Sequence, residues 1–274
     1  MTDMAVQDRD SWQVPEHRVD AFGPKARRHA LVIPIINEGE RFRNQLRRIA
    51  AGDYPVDIVI ADGGSTDGSL DPAFLRDHKV RALLTKTGPG NLSAQLRMAY
   101  AWCLREDYAG IVTVDGNGKD GVEAITAFCD RLDQGYDYVQ GSRYRRGGGA
   151  INTPLSRTIG NRLIHAPLMS LAGRHLFTDT TNGFRAYSAA YLRDPRVQPF
   201  RDIFSRYELL FYLTARAGQI GAKVMEIPVV RAYPRGEPVP TKIGGRAAQL
   251  AVLRQTVEAA LGAFNPPAGQ DAAP

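Results

Sequence analysis

Four short apolar runs, each followed by a polar segment and then by a helical pattern, constrain this fold more than any other feature. The runs occupy residues 30–36, 56–61, 80–85 and 111–114 and are rich in Val, Ile and Leu. Near-continuous apolar runs of this length favour strands that are buried on both faces. Strands that alternate with helices predict an α/β domain with a mainly parallel sheet.

Polar side chains follow each of these runs. Because parallel strands end at the same edge of a sheet, ligands of such sheets bind outside that edge. We therefore expect one polar rim that carries the following residues: Asn37, Glu38, Asp62, Lys86 and Asp115.

The fourth run leads into the most informative loop, where Asp115 is followed by two glycines, Asn117, Lys119 and Asp120. Asp115 taken alone could equally cap the helix that begins near Gly121. The other strands that end at polar residues favour a binding site.

Charge and cysteine content narrow the possible partners. Of the 274 residues, 35 are Lys or Arg and 29 are Asp or Glu, so the net charge of +6 favours an anionic partner.

Cys103 and Cys129 are predicted to be reduced core residues. We find no signal peptide pattern and no apolar run of about 18 residues, so we expect a cytoplasmic protein, with peripheral contact to a membrane as an option.

The second half of the chain is less regular. It predicts a glycine-rich basic loop at residues 141–149, a long helix marked by Leu155, Ile159, Leu163 and Leu171, and an amphipathic helix at residues 244–264. The predicted organisation is an N-terminal extension at residues 1–28, one domain at 29–243, and a C-terminal helix and tail at 244–274.

Several segments together resemble the family 2 glycosyltransferases of the GT-A (Rossmann-like) fold, and among them the dolichyl-phosphate mannose synthase-like branch that acts on polyprenyl phosphates. The resemblance spans residues 30–243. The segments that carry it are residues 33–38, 62–67, the Asp115 loop, 141–143, 179–185, 235–237 and Lys242.

The resemblance implies an inverting transfer of a sugar from a nucleotide-sugar donor. Pro34, Glu38 and Asp62 match positions that hold the nucleotide in the family. Asp115 matches the aspartate that holds Mg²⁺ or Mn²⁺ at the diphosphate. The family's second aspartate is Asn117 here, so we expect a weakly bound metal, a shallow metal dependence and support from Asp179.

A departing diphosphate requires positive charge. The candidates for contact with the donor are Lys86, Lys119, Arg185 and Arg235, while Arg143 and Arg157 are the candidates for the acceptor. Asp115, Asp179 and Arg143 are the predicted catalytic residues.

The acceptor hypotheses differ in the chemistry that they demand. A phosphate acceptor needs cations, whereas a glycan hydroxyl needs a general base, for which Asp179 is the candidate. Cations outnumber carboxylates near the basic loop, which favours polyprenyl phosphate, and Arg143→Ala is expected to impair use of the acceptor. A nucleotide-binding module without transfer activity is the competing class. A dinucleotide oxidoreductase is disfavoured because no Gly-X-Gly-X-X-Gly follows the first strand, and no nucleic-acid-binding motif is present.

Overall fold

The computed structural model describes residues 11–234 and 245–267. Its strands are β1 (His17–Ala21), β2 (His29–Ile35), β3 (Val56–Asp62), β4 (Val80–Lys86), β5 (Gly110–Thr113), β6 (Tyr138–Ser142), β7 (Gly149–Ile151), β8 (Arg185–Ser188), β9 (Val224–Pro228) and β10 (Val230–Ala232). Its α-helices are α1 (Gly39–Ala51), α2 (Pro72–Asp77), α3 (Leu92–Arg105), α4 (Ile125–Asp133), α5 (Leu155–Gly160), α6 (Ala166–Ala172), α7 (Ala189–Arg193), α8 (Glu208–Gln219) and α9 (Gly245–Ala260). A 3₁₀ turn at Val122–Ala124 precedes α4, and a π-helical turn at Asn161–His165 joins α5 to α6.

Eight strands form one mixed sheet in the order β1-β4-β3-β2-β5-β8-β6-β9, and β7 and β10 form a separate parallel pair. Neighbours are parallel from β4 to β5, whereas β8 is antiparallel to both β5 and β6. The predicted mainly parallel GT-A sheet in a single domain is confirmed.

Apolar packing on both faces of the sheet explains the continuous apolar runs. In β2, Ala30 and Val32 join the core that includes α3 and α8, while the alternate residues Leu31 and Ile33 join the core that includes α1 and α4. Successive side chains of a strand point to opposite faces, so a strand between two helical layers is apolar throughout.

Both predicted flanking segments contribute to this domain. Strand β1 pairs antiparallel with β4, and Trp12 packs on Phe200 with ring centroids 4.2 Å apart. Helix α9 packs on α8 and α6 and buries Ala259. The packed domain therefore includes residues before 29 and residues after 243. The sequence of β1 did not indicate a strand, because an edge strand with exposed and half-buried residues lacks a regular apolar pattern.

The long predicted helix runs from α5 to α6 through the π-helical turn, which ends two residues before Pro167. A proline has no N–H to donate to the carbonyl four residues earlier, so departure from regular α-helical bonding is expected there. No helix within the described part of the chain is long and apolar enough to cross a membrane.

Candidate active site

A cavity of about 930 Å³ opens at the carboxyl ends of β2, β4 and β5. It brings together nine of the predicted site residues: Pro34, Glu38, Lys86, Asp115, Asn117, Lys119, Arg143, Arg157 and Arg185. Arg231, Tyr207 and Tyr233 also line the cavity, and the sequence analysis had not assigned them. Arg235 and Lys242 lie outside the described residues.

Asp115 lies in the loop that follows β5, and its side chain is 28% exposed. Gln45 Nε2 donates to the Asp115 carbonyl oxygen at 3.0 Å, which ties the loop to α1. Gly183 faces the carboxylate so closely that a Cβ on this residue would lie 2.4 Å from Asp115 Oδ1. Any side chain at position 183 would therefore displace Asp115.

Arg231 lies between two carboxylates. Its Nη2 is 2.9 Å from Asp115 Oδ2, and its Nη1 is 2.5 Å from Oδ2 of the fully buried Asp120. Two backbone bonds set this register: Gly121 N donates to the Val230 carbonyl oxygen, and Ala232 N donates to the Lys119 carbonyl oxygen. The Asp115 loop and β10 are thus held side by side.

This arrangement separates the pKa values of the two acids. Burial raises the pKa of Asp115, but the positive charges of Arg231 and Lys119 outweigh burial and hold that pKa below its usual value. For Asp120, burial raises the pKa and outweighs the attraction of Arg231. Arg231 itself has a raised pKa, because the two carboxylates more than offset its burial. The neighbouring cations therefore favour the charged form of Asp115, the carboxylate that faces the cavity.

Tyr233 is surrounded by cations. Lys119 Nζ lies 5.0 Å from its ring centroid, and Arg157 Nη1 lies 3.3 Å from its hydroxyl oxygen. Burial raises the pKa of Tyr233, but Arg231, Arg157 and Lys119 lower it below its usual value. A signal for Arg231 and Tyr233 was present in the sequence, because residues two apart in an extended segment share one face, and these two lie just before the Arg235 segment.

Arg143 and Asp179 form a buried ion pair. Arg143 Nε lies 2.6 Å from Asp179 Oδ2 and Nη2 lies 2.8 Å from Oδ1, with side chains 3% and 0% exposed. The Arg143 backbone N–H also donates to Oδ2, at 3.1 Å. Both oxygens of Asp179 are thus bonded to Arg143, which the sequence analysis had assigned separately to the acceptor.

Arg185 and Asp62 each hold a loop of the site. All three guanidinium nitrogens of Arg185 donate to backbone carbonyl oxygens, those of Asn182, Leu210 and Thr180, at 2.6–2.8 Å. This links the turn at residues 180–183 to α8. The Asp62 carboxylate accepts from the backbone N–H and hydroxyl of Ser65, at 2.9 and 2.6 Å. Their predicted contacts with the donor stay predictions.

The residues predicted to bind a divalent ion do not fit a Mg²⁺ site. Asp115 is paired with Arg231, Asp179 is paired with Arg143, and Asn117 Nδ2 lies 3.5 Å from Asp115 Oδ2. Within the described residues, no three His, Cys, Asp or Glu side chains are placed to hold a metal. Mg²⁺ prefers six oxygen ligands and is bound through carboxylates, and here the carboxylates have guanidinium partners.

The family model for glycosyl transferase family 2 matches residues 30–195. The chain belongs to this family. It is 29% identical to the polyprenol monophosphomannose synthase of Mycolicibacterium smegmatis over 205 residues, which cover 74% of this chain and 76% of the relative. It is also 29% identical to the dolichyl-phosphate hexose transferase of Haloferax volcanii over 233 residues, which cover 85% and 93% of the two chains. The undecaprenyl-phosphate mannosyltransferase of Micrococcus luteus is 28% identical over 201 residues, which cover 72% and 81%.

The fold has solved counterparts. The glucosyl-3-phosphoglycerate synthase from Mycobacterium tuberculosis, in complex with Mg²⁺ and uridine-diphosphate, superposes with a TM-score of 0.60 at 17% identity, covering 89% of this chain and 82% of that chain. This family 2 chain is thus a glycosyltransferase with a GT-A fold.

Proposed function

We propose that this glycosyltransferase moves a sugar from a nucleoside-diphosphate sugar to polyprenyl phosphate, with inversion at the anomeric carbon. One observation carries the proposal: cations dominate the cavity, and its central carboxylate, Asp115, is already paired with Arg231. Glu38 is the other carboxylate among the described lining residues. A donor diphosphate and an acceptor phosphate both need cations.

The acceptor chemistry follows from the same balance of charges. A phosphate oxygen is already anionic and attacks without losing a proton, whereas a hydroxyl requires a free carboxylate as base. Asp179, the candidate base, has both oxygens bonded to Arg143. The names of three relatives also refer to polyprenol monophosphomannose, undecaprenyl phosphate and dolichyl phosphate. These observations favour phosphate over a glycan hydroxyl.

In the proposed reaction, a phosphate oxygen of the acceptor bonds to the anomeric carbon as the bond from that carbon to the donor diphosphate breaks. The electron pair of the broken bond leaves with the nucleoside diphosphate. One displacement without an enzyme-bound sugar inverts the configuration. We assign Pro34, Glu38, Lys86 and Lys119 to the donor.

The roles of three further residues are part of the proposal. We assign Arg157 to the acceptor phosphate, since its guanidinium lines the cavity beside Tyr233. Asp179 orients Arg143, whose Nη2 also donates at 2.9 Å to the hydroxyl of Thr181, a lining residue. Sequence reasoning assigned Asp179 to metal support, and the ion pair favours this positioning role instead.

The test is transfer of radiolabelled sugar from a panel of UDP- and GDP-sugars to a short polyprenyl phosphate. We expect an organic-soluble product in which the sugar is linked through phosphate, with inverted anomeric configuration by NMR. Sugar linked to a carbohydrate hydroxyl would overturn the acceptor assignment. Binding of donors without any transfer would favour the nucleotide-binding module instead.

Replacement of Arg157 by glutamine should raise the KM for short-chain polyprenyl phosphate by about tenfold or more, because a charge-assisted contact to phosphate is lost. The KM for the donor should stay unchanged. Steady-state kinetics with each substrate varied in turn measure both constants.

Arg18→Gln is the control, because Arg18 is exposed on edge strand β1 and is absent from the described cavity lining. Equal effects of the two substitutions, or an effect of Arg157→Gln on the donor alone, would contradict the assignment of Arg157 to the acceptor.

We also propose that the outer stripe, defined as Leu155, Ile159 and Leu163, contacts an anionic membrane surface. These side chains are 73%, 47% and 72% exposed, although apolar residues at this spacing typically form the buried face of a helix. The other side of the same helix lines the cavity through Arg157 and Asn161.

Basic side chains complement this apolar stripe. Arg145, Arg146 and Arg162 are exposed on the preceding loop and on the helix itself. Apolar side chains together with Arg bind the boundary of an anionic bilayer. An acceptor embedded in that bilayer would then present its phosphate close to Arg157.

The double variant Leu155→Ser, Leu163→Ser should lower the partition coefficient of the protein onto vesicles with about 30% anionic lipid by about tenfold. The reason is that two exposed leucines no longer make apolar contact with the lipid. Vesicle sedimentation measures the partition coefficient. Val19→Ser, on edge strand β1, is the control and should leave it unchanged. Equal partition of the double variant and the wild type would contradict the membrane contact.

A further inference from the structure

We propose that Arg231, assisted by Lys119, supplies the positive charge at the donor diphosphate in place of a divalent ion. This inference rests on the proposed use of a nucleoside-diphosphate donor. Arg231 lines the cavity and forms an ion pair with Asp115, the carboxylate on which a metal site would depend.

Asp120 locks Arg231 in place. Asp120 is fully buried, and its Oδ2 accepts a hydrogen bond from Arg231 Nη1 at 2.5 Å. Its Oδ1 has no hydrogen-bond partner in the described part of the chain. If Arg231 moved aside to admit a metal ion at Asp115, Asp120 would remain buried without its counter-charge. Breaking a buried ion pair is strongly destabilising, so the guanidinium is a fixed cation of the site.

Lys119 provides the second charge. It is only 6% exposed and lines the cavity, and its Nζ lies 5.0 Å from the centroid of the Tyr233 ring. Arg231 and Lys119 together match the charge of one divalent ion. Two fixed cations in this position also repel a divalent ion from Asp115.

The chemistry needs no further component. As the bond from the anomeric carbon to the diphosphate oxygen breaks, the electron pair moves onto that oxygen. N–H groups of Arg231 and Lys119 are placed to stabilise the developing charge, as fixed donors do in other transfer reactions. No proton has to move, because the acceptor phosphate is already anionic.

The test measures binding of UDP and GDP by calorimetry, in EDTA and again in excess Mg²⁺, with the full chain. We expect the Kd of the nucleotide that binds to differ by less than about threefold between the two conditions. Mn²⁺ titrated with that nucleotide and followed by electron paramagnetic resonance should remain free at micromolar concentrations.

The double variant Arg231→Gln, Asp120→Asn removes both charges of the buried pair together, so that Asp120 is not left ionised and unpaired. It should weaken nucleotide binding in EDTA by about tenfold or more, while Arg18→Gln, at an exposed position on edge strand β1, should not. Circular dichroism checks that each variant is folded.

Nucleotide binding that requires Mg²⁺, or bound Mn²⁺ at micromolar concentrations, would overturn the inference and leave the proposed transfer intact. Equal binding by the double variant and the wild type would overturn it too. If neither nucleotide bound under either condition, the proposed donor would itself be wrong.

Discussion

Asp115→Ala is expected to lower kcat/KM for transfer by about 100-fold or more while the protein stays folded. Asp115 lies in a loop, its side chain is partly exposed, and its carboxylate holds Arg231 at the centre of the cavity. Without it, the guanidinium keeps its bond to Asp120 but loses the carboxylate that holds it on the side of the cavity. Loss of one fixed group at a developing charge costs roughly this factor.

Initial rates at saturating acceptor, together with a thermal unfolding curve, measure both parts of this prediction. Asp77→Ala, an exposed acid at the end of α2, is the control and should behave as the wild type. Activity of Asp115→Ala within a few-fold of the wild type would show that the carboxylate does not serve the reaction.

The second large effect concerns stability. Arg143→Ala should lower the free energy of unfolding by about 3–5 kcal/mol, because it leaves the fully buried Asp179 carboxylate without its counter-charge. Combining Arg143→Met with Asp179→Asn should recover much of this loss, since no buried charge then remains unpaired. Urea unfolding followed by circular dichroism measures both values.

Arg254→Ala is the control, since Arg254 forms an exposed ion pair with Glu258 on α9, and such pairs contribute little. An Arg143→Ala protein as stable as the wild type would contradict the structural role of the pair. The sequence suggested Arg143→Ala as a test of acceptor use. Because this substitution is expected to lower the stability of the fold, Arg157 is the better probe of acceptor binding.

Four of the five residues predicted for the polar rim line the cavity, because strand direction is a strong constraint. Asn37, Glu38, Lys86 and Asp115 each follow an apolar run, and parallel strands carried all four to one cavity. The sequence also predicted that Cys103 lies in the core, and this residue is buried on α3. These features depend on residues that are close together in the chain.

The spacing of residues in the sequence was less informative about which side of a helix faces the protein. The outer stripe, which runs from α5 into the π-helical turn, has the spacing of a buried face, yet Leu155 and Leu163 are exposed. Spacing identifies a helix and its stripe, but only the packing of the helix decides which side meets the protein. In this case the polar side with Arg157 lines the cavity.

By itself, the sequence determined the α/β class, the mainly parallel strands and the set of charged residues at their ends. Only the tertiary structure decided how those charges pair, because each pair joins distant parts of the chain. Arg231 meets Asp120 because β10 lies against the Asp115 loop, and Arg143 meets Asp179 because β6 and the turn before β8 are neighbours. A carboxylate is a metal ligand, a base or a structural counter-charge according to which cation reaches it, and long-range packing sets that choice.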